Sequence, residues 1–204
     1  MESTVNIWYK KIWMTKGCRF NAHGRYEQHA SLSSFTLLIL NVYVLAVNLL
    51  PLIPNFRKYF PSDETTIFTI ILSILMLGVG QFVSSKEFTS KAMRFHDCGK
   101  ELSLIYDKVS ILKFSAIEPT SSQINDLIVE YNLVISKYEG NHKGIDLAVF
   151  KANNVSEFPD IKNPKFFKIS VVILSFIQVT LKYMVCIFVP PLLIALYILL
   201  VTDV

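Results

Sequence analysis

The sequence predicts an all-α membrane protein: a transmembrane helical hairpin, long amphipathic cytoplasmic helices and a C-terminal hydrophobic helix. Three observations carry this. Apolar residues make up 52% of the chain and cluster into three blocks, at 35–54, 65–84 and 166–201. The first two blocks hold no charged residue. Only residues 55–64 part those two blocks. Such clustering belongs to segments solvated by lipid rather than to one soluble core. Four regions result: a basic segment 1–34, a hairpin 35–84, a helical segment 85–165 and a hydrophobic tail 166–204.

The first 34 residues carry Lys10, Lys11, Lys16, Arg19 and Arg25 against Glu2 and Glu27. Trp8, Tyr9 and Trp13 stand beside Lys10 and Lys11. That mixture suits an interfacial helix lying on the inner membrane surface. Packing against the helices of 85–165 suits it equally. No cleavable leader is expected, because the first apolar run starts only at Phe35.

Phe35–Pro54 supplies about 20 residues, or about 30 Å of helix, which matches the hydrocarbon thickness. Pro51 and Pro54 stand where that helix can stop. Thr65–Ser84 is the second span, preceded by the turn and helix-start residues Pro61, Ser62 and Asp63. The short connection makes the two spans antiparallel neighbours. The third block is divided by Lys182 and interrupted by Pro190–Pro191. A span over Tyr183–Val201, a span over about Phe167–Val189 and a re-entrant turn at the prolines are all open.

Orientation is set by the lysines and arginines near the span ends. Lys16, Arg19 and Arg25 precede the hairpin, and Lys86, Lys91, Arg94 and Lys100 come after it. The connection between the spans carries only Arg57 and Lys58. The N-terminus and residues 85–165 are therefore expected in the cytoplasm, the connection outside, and Val204 outside if the third block crosses.

The second span is expected to run on as helix to about Phe114, with Gly99 costing about 1 kcal/mol against alanine. Leu102, Ile105, Tyr106, Val109 and Leu112 form an apolar stripe along it. Thr120-Ser121-Ser122-Gln123 reads as a capping box for a second helix, which Gly140 stops. Residues 153–164, with two prolines, form a connector.

Little in the chain points to catalysis, and the protein is expected not to be an enzyme. No glycine-rich phosphate loop is framed by a strand and a helix. In Cys18, His23 and His29 the spacing is wider than zinc sites favour. His96-Asp97-Cys98 are sequence neighbours on one helix, about 100° apart, and cannot align as nucleophile, base and orienter. Neither a cofactor nor a metal is expected. Segment 85–165 balances its acidic and basic residues, which speaks against direct nucleic-acid binding. Three widely spaced cysteines imply no disulfide framework.

Polar residues inside the spans say more. Asn41 and Asn48 lie seven apart, on one face of the first span. Thr69, Ser73 and Gly80 share a face of the second, with Gly78 and Gln81 beside it. In lipid such groups join helices or face water. Packing within the hairpin is one reading. Contact between copies of the chain around a pore is the other, and it requires a homo-oligomer.

Lys16, Arg19, Ala22 and Arg25 before the first span, the short turn and the long helix leaving the second span resemble the SLATT family, the SMODS and SLOG-associating two-transmembrane effectors of bacterial conflict systems. Tyr138-Glu139-Gly140-Asn141-His142, with Ile145-Asp146 shortly after, is similar to that family's aromatic-Asn-His-x-x-x-Asp signature. The likeness covers roughly residues 8–150, and the whole chain resembles the branch with a hydrophobic tail found beside reverse transcriptases. The resemblance implies an effector that damages or depolarises the inner membrane when a partner senses phage infection, with a reverse transcriptase from the same operon as the sensor. It also implies a structural polar cluster of Asn141, His142 and Asp146, whose plainer account is a helix cap and turn.

Overall fold

A computed structural model of the chain describes residues 3–54, 62–138 and 140–202. Arg57, Lys58, Pro61, Glu139 and Val204 lie outside the described residues. No strand occurs among the described residues. The α-helices among them are, in chain order, α1 Thr4–Leu49, α2 Ser62–Ser85, α3 Phe88–Phe114, α4 Ser121–Lys137, α5 Gly144–Asn153, α6 Pro164–Phe176 and α7 Lys182–Thr202. A π-turn, Ile177–Leu181, joins α6 to α7. The chain divides into two compact units, one of residues 1–27 and 89–176, the other of 28–88 and 177–204.

Three elements differ from the sequence reading. The helix expected to leave the second span unbroken is interrupted at Lys86–Glu87. The last turn of α2 tightens, with Lys86 N donating to Val83 O and Glu87 N to Ser84 O. Glu87 then adopts φ +51°, in the left-handed region that ends a helix. A third helix, α5, follows the turn and cap at 140–146, where only two helices were expected between the spans. Finally, Pro190 and Pro191 lie inside α7 rather than at a re-entrant turn. A proline in a helix strands the carbonyl four residues earlier. For Pro191 that carbonyl is Ile187 O, and it accepts a hydrogen bond from the Tyr43 hydroxyl at 3.2 Å. In lipid this second donor is what lets a helix tolerate the residue.

The first unit has an ordinary apolar core. Val5 and Ile12 of α1 meet Cys98, Leu102, Ile105 and Val109 of α3, and Leu127, Tyr131 and Val134 of α4. The aromatic residues near the N-terminus pack inward: Trp8 on Tyr131, Tyr9 on Tyr106 and Trp13 on Phe150, with ring centroids 4.7–5.4 Å apart. Of the two readings open for them, packing on neighbouring helices is the one observed. Gly99 is no bare cost either. A Cβ there would lie 2.9 Å from the Phe20 ring, so the missing side chain makes room for an aromatic ring.

α4 starts as its sequence announces. The Thr120 hydroxyl accepts from Gln123 N at 3.3 Å, and the Gln123 side chain accepts from Thr120 N at 2.9 Å. Replacing Thr120 by alanine is expected to cost about 1 kcal/mol. A thermal melt of the purified chain should show a small downward shift, and an unchanged melt would count the cap as idle.

The second unit reverses the polarity of the first. Its buried residues include His29, Ser33 and Thr36 of α1 and Thr65 and Thr69 of α2, beside Val47, Val179 and Tyr183. Its surface is apolar, with Leu45, Leu77 and Phe188 each more than 60% exposed. α1, the α2 region and the α6–α7 region each hold a stretch long and apolar enough to cross a bilayer. A surface of this kind is stable only where lipid or another apolar partner covers it.

Candidate functional site

One face of α1 holds the turn that precedes α5. Arg25 and Asp146 form a buried two-pronged ion pair, Nε to Oδ1 at 2.8 Å and Nη2 to Oδ2 at 2.9 Å. Asp146 is the third residue of α5 and also accepts from the backbone N–H of Lys143 at 2.7 Å. Its carboxylate therefore caps the helix start as well as pairing with arginine, where the helix dipole favours a negative charge. Asn21 Nδ2 donates to Asp146 O at 2.9 Å, and Arg19 Nη1 donates to Gly140 O at 2.7 Å. Gly140 has φ +87°, a conformation that side chains disfavour. Three residues of α1 thus grip both ends of the turn 140–146.

His142 lies within this grip. Its Nδ1 is buried and has no hydrogen-bond partner among the described residues. Burial, reinforced by the Arg19 charge, holds its pKa below the ordinary imidazole value despite the opposing pull of Asp146. The ring is therefore neutral at pH 7. Asn141 stays exposed and accepts from His142 N at 3.2 Å.

The basic residues counted for orientation take several environments. Arg19 and Arg25 are buried. Lys16 Nζ sits 3.9 Å from the centroid of the Tyr106 ring. Lys86 and Arg94 are exposed and Lys91 is half-buried. The long-range partners of Arg19 and Arg25 carry no local signal in the sequence, since both lie 121 residues away.

His23, His29, Cys18 and Cys98 are engaged in other contacts. His23 Nδ1 lies 3.1 Å from Ala92 O and its Nε2 lies 3.3 Å from Glu27. His29 meets the Tyr183 hydroxyl at 3.2 Å. Cys18 packs with Phe150 and Phe158, and Cys98 is in the core. Among the described residues no group of three or more histidines, cysteines and carboxylates is placed to hold a metal ion.

In the second unit the in-span polar residues split into two sets. Thr69 is buried, Gly80 is half-buried and Ser73 is exposed. Thr69 Oγ1 donates to Thr66 O at 3.0 Å and Ser73 Oγ to Thr69 O at 2.7 Å. Asn41, Asn48 and Gln81 are exposed. The amides of Asn41 and Asn48 each donate to the carbonyl four residues back at 2.9 Å. Those bonds use one of the several hydrogen-bonding groups each amide has. A Cβ added at Gly78 or Gly80 would meet nothing within 4 Å, so that strip of α2 is open to close approach.

A polar-cored, apolar-surfaced unit joined to a conventional helical unit defines a helical membrane protein whose spans carry uncovered polar groups. The chain belongs to the SMODS and SLOG-associating 2TM effector domain family, family 5, whose sequence model matches residues 1–201. The family likeness read from the basic approach and the Asn141–Asp146 signature is thereby confirmed, and the match takes in the hydrophobic tail. The protein is a membrane effector of that family. No curated protein and no solved structure matches it.

Proposed function

We propose that the protein is the membrane-acting component of a bacterial anti-phage, abortive-infection system, and that its copies assemble into a pore in the inner membrane when triggered. The observation that supports this best is the exposure of Asn41, Asn48 and Gln81 on spans that present a largely aliphatic surface. An amide costs free energy in hydrocarbon unless it finds a partner. Asn carries both a donor and an acceptor, so a second copy of the same face matches it. Several copies are needed because one hairpin encloses no channel. In this reading the N-terminus and residues 85–165 face the cytoplasm, where a sensor encoded alongside, such as a reverse transcriptase, supplies the trigger. The chain acts without chemistry of its own.

Purified protein in dye-loaded vesicles, with its trigger, should release the dye. Replacing Asn41 and Asn48 together by leucine should reduce release at least about eight-fold, given about 0.6–2 kcal/mol for each interhelical amide contact. Vesicles that stay tight under activating conditions would overturn the proposal. Exposed Leu104, Ile111, Phe114, Val129 and Leu133 on α3 and α4 favour a second reading, a membrane anchor that recruits a partner through those helices. Under it the two leucine substitutions leave function intact, and charges placed on those helices abolish it.

A further inference from the structure

α6 opens with an arrangement that its own backbone disfavours. Lys165 and Lys168 lie in its first turns, Lys162 just before them, and no acidic residue sits in the first turn. A helix N-terminus carries partial positive charge, so lysines there are unfavourable until an anion joins them. All three are exposed. None of their ammonium groups has a hydrogen bond or ion pair among the described residues. Asp160, two residues upstream of Lys162 and also exposed, offsets one of the three charges.

The apolar residues interleaved with the lysines fix the kind of anion. α6 packs on α5 through Phe167 and Val171, which meet Ile145, Ala148 and Ala152. The opposite face is aromatic and aliphatic: Phe166 is 69% exposed, and Ile169 and Val172 are exposed on the next turns. A soluble phosphate would be served by the charges alone and would leave this face in water. A phospholipid supplies phosphate for the lysines and acyl chain for the face beneath them. The stems of the lysines can lie along that apolar surface while their ammonium groups reach the headgroups. The buried arginines of α1 are not available for the same task.

We propose that Lys162, Lys165 and Lys168, with Phe166, bind the headgroups of anionic phospholipids where the third apolar helix enters the bilayer. Each lysine near an anionic surface contributes about a five-fold gain in affinity at moderate salt. The site stands apart from the pore proposal, since it needs neither assembly nor a trigger.

The full-length chain in mild detergent can be offered phosphatidylglycerol and phosphatidylcholine, with retained lipids counted by native mass spectrometry. The wild type should retain phosphatidylglycerol in preference. Joint replacement Lys162→Gln, Lys165→Gln and Lys168→Gln should reduce that preference at least about ten-fold, given the contribution of each lysine, while Lys100→Gln with Lys143→Gln, exposed elsewhere, should leave it. Replacement of the three by arginine should preserve it, which separates loss of charge from loss of fold. The proposal is overturned if the wild type shows no preference, if the glutamine variant keeps it or the arginine variant loses it. It is overturned equally if inorganic phosphate displaces the lipid completely, because the site would then be one for a free anion.

Discussion

Replacing Asp146 by alanine is expected to lower the stability of the first unit by about 3–5 kcal/mol, the usual cost of leaving a buried charge without its partner. The change strands the Arg25 guanidinium in a site where both side chains are almost wholly out of water. It also removes the acceptor for Lys143 N at the start of α5. Asp146→Asn should fall between, because an amide oxygen can still cap the helix but offers Arg25 no charge. Replacing both partners, Arg25→Met with Asp146→Leu, should recover much of the loss, since an apolar pair removes the desolvation penalty altogether. The measurement is convenient: the chain has two tryptophans, Trp8 and Trp13, and both lie in this unit. Melts followed by tryptophan fluorescence should therefore report it. An Asp146→Ala protein that melts with the wild type would show that the ion pair does not hold the turn.

That pair also marks where the sequence stops being informative. The spans are legible because a charge-free run of about 20 residues has few alternatives to lipid. The Thr120 capping box is legible because both partners lie within four residues. The break at Glu87 is not, since the residue has no special tolerance for positive φ and its neighbours carry no proline or glycine. α5 escaped because ten residues hold too few turns for a periodic signal to stand out. Arg19 and Arg25 read as surface charge before a membrane, as a local view of basic residues must read them. Their burial depends on Gly140 and Asp146, which pattern reasoning cannot connect across 121 residues. The family resemblance singled out Arg19 and Arg25 as well as Asn141–Asp146, without indicating that the two sets meet.

Gly17 is a second position whose meaning exists only in three dimensions, and Gly17→Leu is expected to be nearly as damaging as the loss of Asp146. On its own, Gly17 looks like a helix weakness, worth about 1 kcal/mol if changed to alanine. In the fold, a Cβ at this position would lie 2.1 Å from the Phe150 ring, far inside van der Waals contact. The ring has little room to yield. It stands edge-on to Trp13 at 4.7 Å and to Phe158 at 6.3 Å, and Cys18 closes the same cluster. A leucine must therefore evict Phe150, which costs what truncating a buried phenylalanine costs, about 3–5 kcal/mol. The helix propensity gained returns only a fraction of this. Because the loss works through one contact, it should be non-additive. Gly17→Leu and Phe150→Ala are each expected to destabilise strongly, and the double variant should be more stable than the sum of the two predicts, since leucine can fill part of the space the ring vacates. Strict additivity in that cycle, read from the same fluorescence melts, would mean that α1 and α5 do not meet at Gly17.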